Sequence, residues 1–263
     1  MIPRLVTAAV IVLAVTPGPA AAQNGTSVFD RPLPFEVGET ATYDVTFGPM
    51  RVGRARLAVE AIESLGGISA YRLVFEMNGG PFFFKIDDRT VSWLATDPYR
   101  SLRFEQVLHQ GGYERHRRYE LDHDAATFVR EDWDEEAGAY RPHETERDIA
   151  IPAGALDEIS FLYLVRTLPL EVGRTYTFEN YFQASGNPVV VEVLRRERVR
   201  VRAGSFDTIV IRPIIQTDGI FGEGGKAELF ISDDESRTIV QLRTQMKVGE
   251  MNMYLRELEV TSS

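Results

Sequence analysis

One apolar segment with helical spacing, Gly154 to Leu170, constrains the fold most, because the chain on both sides of it is patterned for strands. Its apolar residues recur every third or fourth position and cover nearly every side of a helix, which argues for burial. They are Leu156, Ile159, Phe161, Leu162, Tyr163, Leu164 and Val165. A single buried helix needs a sheet that wraps around it, so this segment predicts a helix inside a β fold.

The ends of this helix are marked by residues that suit them. Asp157 is a good N-cap, because its carboxylate accepts from the free N–H groups of the first turn and lies at the positive end of the helix dipole. Arg166 suits the negative end, and Pro169 stops the helix. The predicted helix therefore covers residues 157–168, with structural roles for Asp157 and Arg166.

The rest of the chain alternates apolar and polar residues, as half-buried strands do. Tyr43, Val45 and Phe47 share one face of the first such strand, and glycine-containing turns separate the strands that follow. About fourteen strands are expected, more than a twisted open sheet holds without curling. The sequence predicts an all-β fold with one central helix, in which a curled antiparallel sheet forms an incomplete barrel over residues 35–260.

Two halves of the chain resemble each other, at residues 35–151 and 170–260. Segment 35–43, FEVGETATY, matches segment 170–178, LEVGRTYTF. A weaker match pairs Trp93, Asp97, Arg100 and Ser101 with Phe230, Asp234, Arg237 and Thr238. One interpretation is a duplication joined by the helix. The other is chance, because E-V-G followed by Thr is a common way to open a strand.

The first 22 residues have the pattern of a secretory signal peptide. A short n-region with Arg4 precedes an apolar run, and Ala20-Ala21-Ala22 forms an A-x-A cleavage site. We expect cleavage after Ala22, a flexible lead-in over residues 23–34, and a periplasmic or secreted protein that is not integral to the membrane. About 240 residues would remain, enough for one large β domain.

The amino-acid composition of the chain argues against several classes of partner and binding site. The net charge of −10 disfavours nucleic acid and anionic membrane surfaces. The absence of cysteine excludes disulfides, thiolate metal sites and a lipid-anchored cysteine.

Several motifs, in their order along the chain, resemble the secreted bacterial family catalogued as domain of unknown function 3108. They are GETATYDVTFG, LDEISFLYLVRTL, VRAGSFDTIVIRP and AELFISDDESRTIVQLRTQMKVGEMNMYL. The resemblance implies an exported, mostly β protein of the bacterial envelope without an established activity. The family residues that carry over are Gly38, Asp157, Arg166, Gly204, Asp234 and Gly249. We interpret them as turn, cap or strand-end positions, and therefore as structural.

Catalytic and metal-binding patterns are weak. His109, His116 and His123 are spaced by an odd number, so on one strand they would alternate faces. Ser205 lies in an apparent hairpin turn and not in a nucleophile elbow. The acidic runs are most simply turns, with a weak calcium site as the alternative. We therefore expect no catalytic residues, no metal, no cofactor and no enzymatic activity.

Two loops that combine aromatic residues with glycines are the best candidates for a binding site. Phe83 and Phe84 follow Gly79-Gly80-Pro81, and Ile220 and Phe221 precede a glycine-rich run. These four residues are either core or the rim of an opening.

The rim interpretation predicts a non-enzymatic envelope protein that binds a hydrophobic, lipid-like ligand inside the partial barrel. The alternative is a periplasmic scaffold that binds an envelope protein and has no small-molecule ligand. Walls for such a pocket would come from inward residues such as Tyr43, Phe75 and Met253.

Overall fold

The computed structural model describes residues 32–80, 84–215, 227–246 and 249–261. The strands before the helix are β1 (Glu39–Phe47), β2 (Met50–Leu65), β3 (Ile68–Gly79), β4 (Ile86–Ala95), β5 (Ser101–Gln110), β6 (Tyr113–Asp122), β7 (Thr127–Asp134), β8 (Ala139–Pro142) and β9 (Ile149–Ala150). Helix α1 (Glu158–Leu164) continues as a 3-10 turn, Val165–Thr167. The strands after it are β10 (Thr175–Phe178), β11 (Val189–Val201), β12 (Gly204–Ile214), β13 (Ala227–Ser232), β14 (Ile239–Met246) and β15 (Gly249–Val260), with a 3-10 turn, Ala184–Gly186, between β10 and β11.

All the strands belong to one antiparallel sheet that is not closed. Pairing runs from β10 through β15, passes from β15 to β1, and continues through β8, while β9 pairs with β7. The strands at the two ends of this order, β8 and β10, have four residues each. Short edge strands offer little unpaired backbone to other chains. The predicted fold class, an all-β chain with one helix and an incomplete barrel, is confirmed.

The concave face of the sheet holds the helix. All seven residues of α1 are buried, and they join one large core with inward residues of both parts of the sheet. That core includes Tyr43, Leu73, Phe104 and Ile209. A helix that is apolar on nearly every side is stable only in such surroundings.

The convex face of the sheet carries charged residues in cross-strand pairs. The Glu76 carboxylate on β3 accepts from Arg56 on β2 and from Arg89 on β4, at 2.9 and 3.0 Å. Arg103 and Glu120 pair in the same way across β5 and β6, at 2.6 Å. Within the described residues, no helix has the length and apolar character needed to cross a membrane.

The two halves of the sheet share local irregularities at matching sequence positions. Gly38 and Gly173 both have positive φ, at 94° and 88°, and both donate their N–H to the strand after next. Register shifts fall at Val59/Ala61 and Val193/Arg195, and at Trp93/Leu94 and Phe230/Ile231. Duplication stays a hypothesis, and these matches favour it.

Candidate functional site

Helix α1 is much shorter than the strands that form the concave face around it. Helix α1 has seven residues, so it is about 10 Å long. Strand β2 has sixteen residues and spans about 50 Å. The helix N-terminus lies beside Ser92, near the middle of β4, and its C-terminal extension reaches Glu39 at the beginning of β1. The strands therefore extend beyond the helix toward the β1–β2, β3–β4 and β5–β6 turns, which we call the open end.

The concave surface at the open end is apolar on the side of β15, β1, β2 and β3. Here the inward side chains of Phe47, Val52, Met77 and Met251 are only partly buried, although they continue rows that are fully buried beside the helix, and Val45 at the inner edge is itself 1 % exposed. They surround a space of about 10 Å³, room for roughly one water molecule. We call this surface the apolar niche, and define it by Val45, Phe47, Val52, Met77 and Met251. Met77 and Met251 have flexible, polarizable side chains that adapt to irregular apolar partners.

The concave surface on the side of β4, β5 and β6 is polar, and we call it the polar wall: Asp88, Gln106, Gln110, Arg115 and Arg117. Strand register places these residues on the concave face, because Phe104 and Tyr119 of the same strands stack within the core. The Asp88 carboxylate accepts from the side chain of Gln110 and from the backbone N–H of His109. Burial raises the pKa of Asp88. The open end therefore joins an apolar side to a polar side.

Glu158, the first residue of α1, is a buried carboxyl at the base of this region. Its Oε1 accepts from the Tyr181 hydroxyl at 3.1 Å. Burial raises the pKa of Glu158 to about 7, although the hydrogen bond from Tyr181 and the charge of Arg115 act in the opposite direction. The carboxyl is therefore a buried acid that changes its charge near neutral pH.

Three serines and Asp157 form a closed polar cluster at the N-terminus of the helix. Asp157 Oδ1 accepts from the N–H groups of Ile159 and Ser160, both at 2.9 Å, so Asp157 is the N-cap. Its Oδ2 accepts from Ser92 Oγ at 2.6 Å, and its own N–H donates to Ser101 Oγ at 2.8 Å. Burial raises the pKa of Asp157, and the hydrogen bonds oppose that rise. The cluster fixes the helix start against β4 and β5.

Arg166 fixes the other end of the helical segment. Its guanidinium binds both carboxylate oxygens of Glu39, at 2.7 and 2.9 Å, and donates to the carbonyls of Pro34 and Ser236. The rings of Phe35 and Tyr163 lie 5.5 and 5.4 Å from it. Arg166 therefore connects the helix to the beginning of β1 and to the β13–β14 turn.

The structure describes only one of the four rim residues that the sequence predicts. Phe84 is 40 % exposed at the open end, and a Cβ built on Gly111 would lie 2.8 Å from its ring. The ring therefore packs over the β5–β6 turn, where only glycine leaves room. Phe83, Ile220 and Phe221 lie outside the described residues.

Gly204 and Asp234, two further sequence-predicted positions, lie at turns away from the open end. Gly204, at φ 145°, begins β12. Asp234 Oδ1 accepts from the hydroxyls of Ser232 and Ser236 and so shapes the β13–β14 turn. The pocket walls expected at Tyr43, Phe75 and Met253 are filled core, because these side chains are only 1, 7 and 6 % exposed. The open space begins one or two residues further along the strands.

The histidines lie apart from one another. The His116 ring stacks on Trp133 at 4.8 Å, and the His123 ring is 2.7 Å from the Ser101 carbonyl. His109 lies near the open end, where its Nδ1 is 3.2 Å from the carbonyl of Asp87. Across the described ranges, no three His, Asp or Glu side chains are grouped as a metal ion would require.

A second concavity lies on the convex side, at the end of the sheet opposite the open end. It has a volume of about 600 Å³, and we call it the convex groove. Its lining combines the apolar residues Leu65, Ile68 and Leu102 with several charged side chains. These are Arg100, Arg103, Glu120, Asp122, Asp124 and Asp148, accompanied by His123.

Comparison with known proteins gives one family and several similar folds. The family model described as "Protein of unknown function (DUF3108)" matches residues 42–256. A search of curated proteins finds none that matches the chain.

Among solved structures, a β-barrel-like protein of domain of unknown function DUF1849 from Brucella abortus has a TM-score of 0.51 and 13 % identity. The match covers 86 % of this chain and 98 % of that one. A hypothetical protein from Chlamydia trachomatis has a TM-score of 0.38 and 9 % identity, with 87 % and 90 % covered. A proposed lipoprotein from Parabacteroides distasonis has a TM-score of 0.34 and 10 % identity, with 86 % and 98 % covered. The first of these shows a shared β-barrel-like fold.

Proposed function

We propose that this chain, which belongs to the DUF3108 family of proteins of unknown function, is an exported protein of the bacterial cell envelope. The protein holds a hydrophobic, lipid-like ligand at its open end. Export is supported by the signal-peptide pattern of residues 1–22. The ligand would lie on the concave face, with its apolar part on the apolar niche and its other end toward the polar wall.

The observation that carries this proposal is the contrast between the two ends of the concave face. Beside the helix, inward apolar residues such as Leu73 and Leu94 are fully buried. At the open end, Val52, Met77 and Leu108 face the same way and stay partly exposed. Apolar surface that faces inward and is not covered by the described residues favours an apolar ligand. Each methylene buried there would contribute about 0.8 kcal/mol before ordering costs.

The protein binds its ligand and does not catalyse a reaction in this proposal. The buried serines Ser92, Ser101 and Ser160 are hydrogen-bonded to the helix cap, and the cap carboxylate of Asp157 is itself used for four such bonds. This arrangement serves to position the helix. It leaves the open end as the part of the concave face that can receive another molecule.

The test is the identity of what co-purifies with the protein. The chain would be exported with its own N-terminal segment, purified from the envelope without detergent, extracted with organic solvent and analysed by mass spectrometry. We expect one class of lipid in roughly equimolar amount in the unmodified protein. Met77→Asp, which places a charge in the apolar niche, should lose it.

Ile62→Asp is the matched control, because Ile62 is an apolar residue of the same sheet that is 52 % exposed. It should retain the lipid. Circular dichroism melting of each variant would separate loss of lipid from loss of fold. No lipid in either the unmodified protein or the control would overturn the proposal.

The convex groove favours a second function, that of a scaffold for an envelope protein. Its mixture of apolar and oppositely charged side chains suits a peptide segment better than an acyl chain. Capture of a defined envelope partner that is lost in Leu102→Asp, with no lipid in the extract, would support the scaffold.

A further inference from the structure

Arg115 differs from Arg117, Arg130 and Arg166 in that, among the described residues, it forms no ion pair, and its charge acts on the Glu158 carboxyl only from a longer distance. Arg117 donates to Asp132 and to the Tyr119 hydroxyl, and Arg130 donates to Asp132 and Glu146. Arg166 is paired with Glu39. Within the described part of the chain, no carboxylate lies within ion-pair distance of Arg115, and its buried Nε has no hydrogen-bond acceptor. Its side-chain hydrogen bond to a described residue is a long contact, 3.5 Å from Nη1 to Gln106 Oε1.

Unpaired buried donors are rare in folded proteins, because each loses its hydrogen bond to water without a replacement. The Arg115 guanidinium is nevertheless held in place. It lies over the Tyr113 ring, 5.3 Å from the ring centre. A positioned cation with a free donor is suited to an anionic oxygen that is not part of the protein.

The position of Arg115 relates it to the apolar niche. Strand register forms one row across the concave face, in which Met77 is paired with Asp88, Asp88 with Leu108, and Leu108 with Arg115. Three strand spacings separate Met77 from Arg115, about 14 Å along the sheet. A molecule whose charged group binds Arg115 could reach the apolar niche with an acyl chain that crosses Leu108 and then Asp88, whose carboxyl is hydrogen-bonded to Gln110 and to the His109 N–H.

Two carboxyls, Asp88 and Glu158, face the same space, and the charge of Arg115 acts on the pKa of Glu158. The Asp88 carboxyl is occupied by Gln110 and the His109 N–H, and burial raises its pKa. The Glu158 carboxyl accepts from Tyr181, and its pKa is also raised by burial. Both carboxyls therefore already accept hydrogen bonds from groups of the protein, which leaves the Arg115 guanidinium without a direct carboxylate contact.

We propose that the ligand of the open end is an acyl chain with an anionic head group, a carboxylate or a phosphate, and that Arg115 binds this head group. The inference rests on the proposed function, since it names the chemistry of the same ligand. It gives the polar wall a role in specificity that the apolar niche alone cannot supply.

The test measures binding of three probes with the same chain length to the purified protein at submicellar concentration. The probes are hexadecanoate, hexadecyl phosphate and hexadecanol, each followed by isothermal titration. The unmodified protein should bind at least one of the two anions about tenfold or more tightly than the alcohol, as a charged hydrogen bond implies. This comparison does not depend on the folding of any variant.

Variants then locate the head group. Arg115→Gln should weaken binding of the preferred anion about tenfold or more, while hexadecanol stays within about twofold. Arg118→Gln is the control, because Arg118 lies on the same strand but faces the convex side and pairs with Glu131. It should change neither affinity. Tighter binding of the phosphate than the carboxylate, or the reverse, would support the inference and identify the head group.

Two failures are distinguishable. Equal binding of the alcohol and both anions, unchanged by Arg115→Gln, would overturn the anionic head group and leave the hydrophobic ligand standing. Absence of binding for all three probes to the unmodified protein would overturn both proposals.

Discussion

At the residue scale, Glu158 and Arg166 are ionisable residues buried at the two ends of the helical segment. They differ in how many groups of the protein surround the charge. Arg166 has a carboxylate, two carbonyls and two aromatic rings around its guanidinium, so its charge is paired and both Nη groups are hydrogen-bonded, although its buried Nε has no acceptor among the described residues. Glu158 is buried, and among the described residues its hydrogen-bond partner is the Tyr181 hydroxyl; burial raises the pKa of its carboxyl to about 7. The first arrangement stabilises one charge state at all ordinary pH values, whereas the second makes stability depend on pH.

The Glu158 carboxyl should make the folded protein less stable as pH rises. Its pKa is about 7 in the folded state and near 4.5 when unfolded, so the folded chain binds more protons between these values. The contribution of Glu158 to the free energy of unfolding is fully present below about pH 4.5. It falls by roughly 3 kcal/mol as pH rises through 7. Glu158→Gln should remove this part of the dependence and stabilise the protein at pH 8.

Urea unfolding at several pH values measures the effect. Glu171→Gln is the control, because the Glu171 side chain is 73 % exposed. This variant should leave the dependence of the free energy of unfolding on pH unchanged. The same pH dependence in Glu158→Gln and the unmodified protein would show that another group is responsible.

At the element scale, the pattern of the sequence was sufficient for the helix and the strands. Apolar spacing located the helical segment, and Asp157 marked its beginning, because both signals are local. The Arg166–Glu39 pair joins residues 127 positions apart, so no local pattern indicates it. No local pattern relates Arg115 to Met77, for the same reason. Their relation depends on the register of four strands, which alternation of polar and apolar residues does not specify.

The matched turns of the two halves give a prediction about glycine. Gly38 and Gly173 have nearly the same positive φ, so alanine at either position should cost about 1 to 2 kcal/mol in backbone strain. A Cβ at Gly173 would meet nothing, whereas a Cβ at Gly38 would press into the carbonyl of Thr261. Gly38→Ala should therefore be the more destabilising of the two in chemical denaturation. Equal losses would show that the C-terminal segment moves aside without cost.

At the scale of the whole molecule, a short helix fills one end of a long curled sheet, and in the described part of the chain it does not extend to the other end. The charged pairs on the convex face and the core around the helix explain why the chain folds in this way. They leave unexplained why inward residues at the open end are apolar on one side and polar on the other. An amphipathic ligand accounts for both sides at once.

The central claim, that an acyl chain lies at the open end of the concave face, is tested most directly by photo-crosslinking. A hexadecanoate that carries a diazirine at its far end would be bound to the unmodified protein, irradiated, and the labelled peptides identified by mass spectrometry. The account predicts labels on the peptides that contain Met77, Val52 and Met251, and their loss when excess unlabelled hexadecanoate is added. Labels that concentrate on the convex groove, near Leu65 and Leu102, or labelling that no competitor reduces, would contradict it.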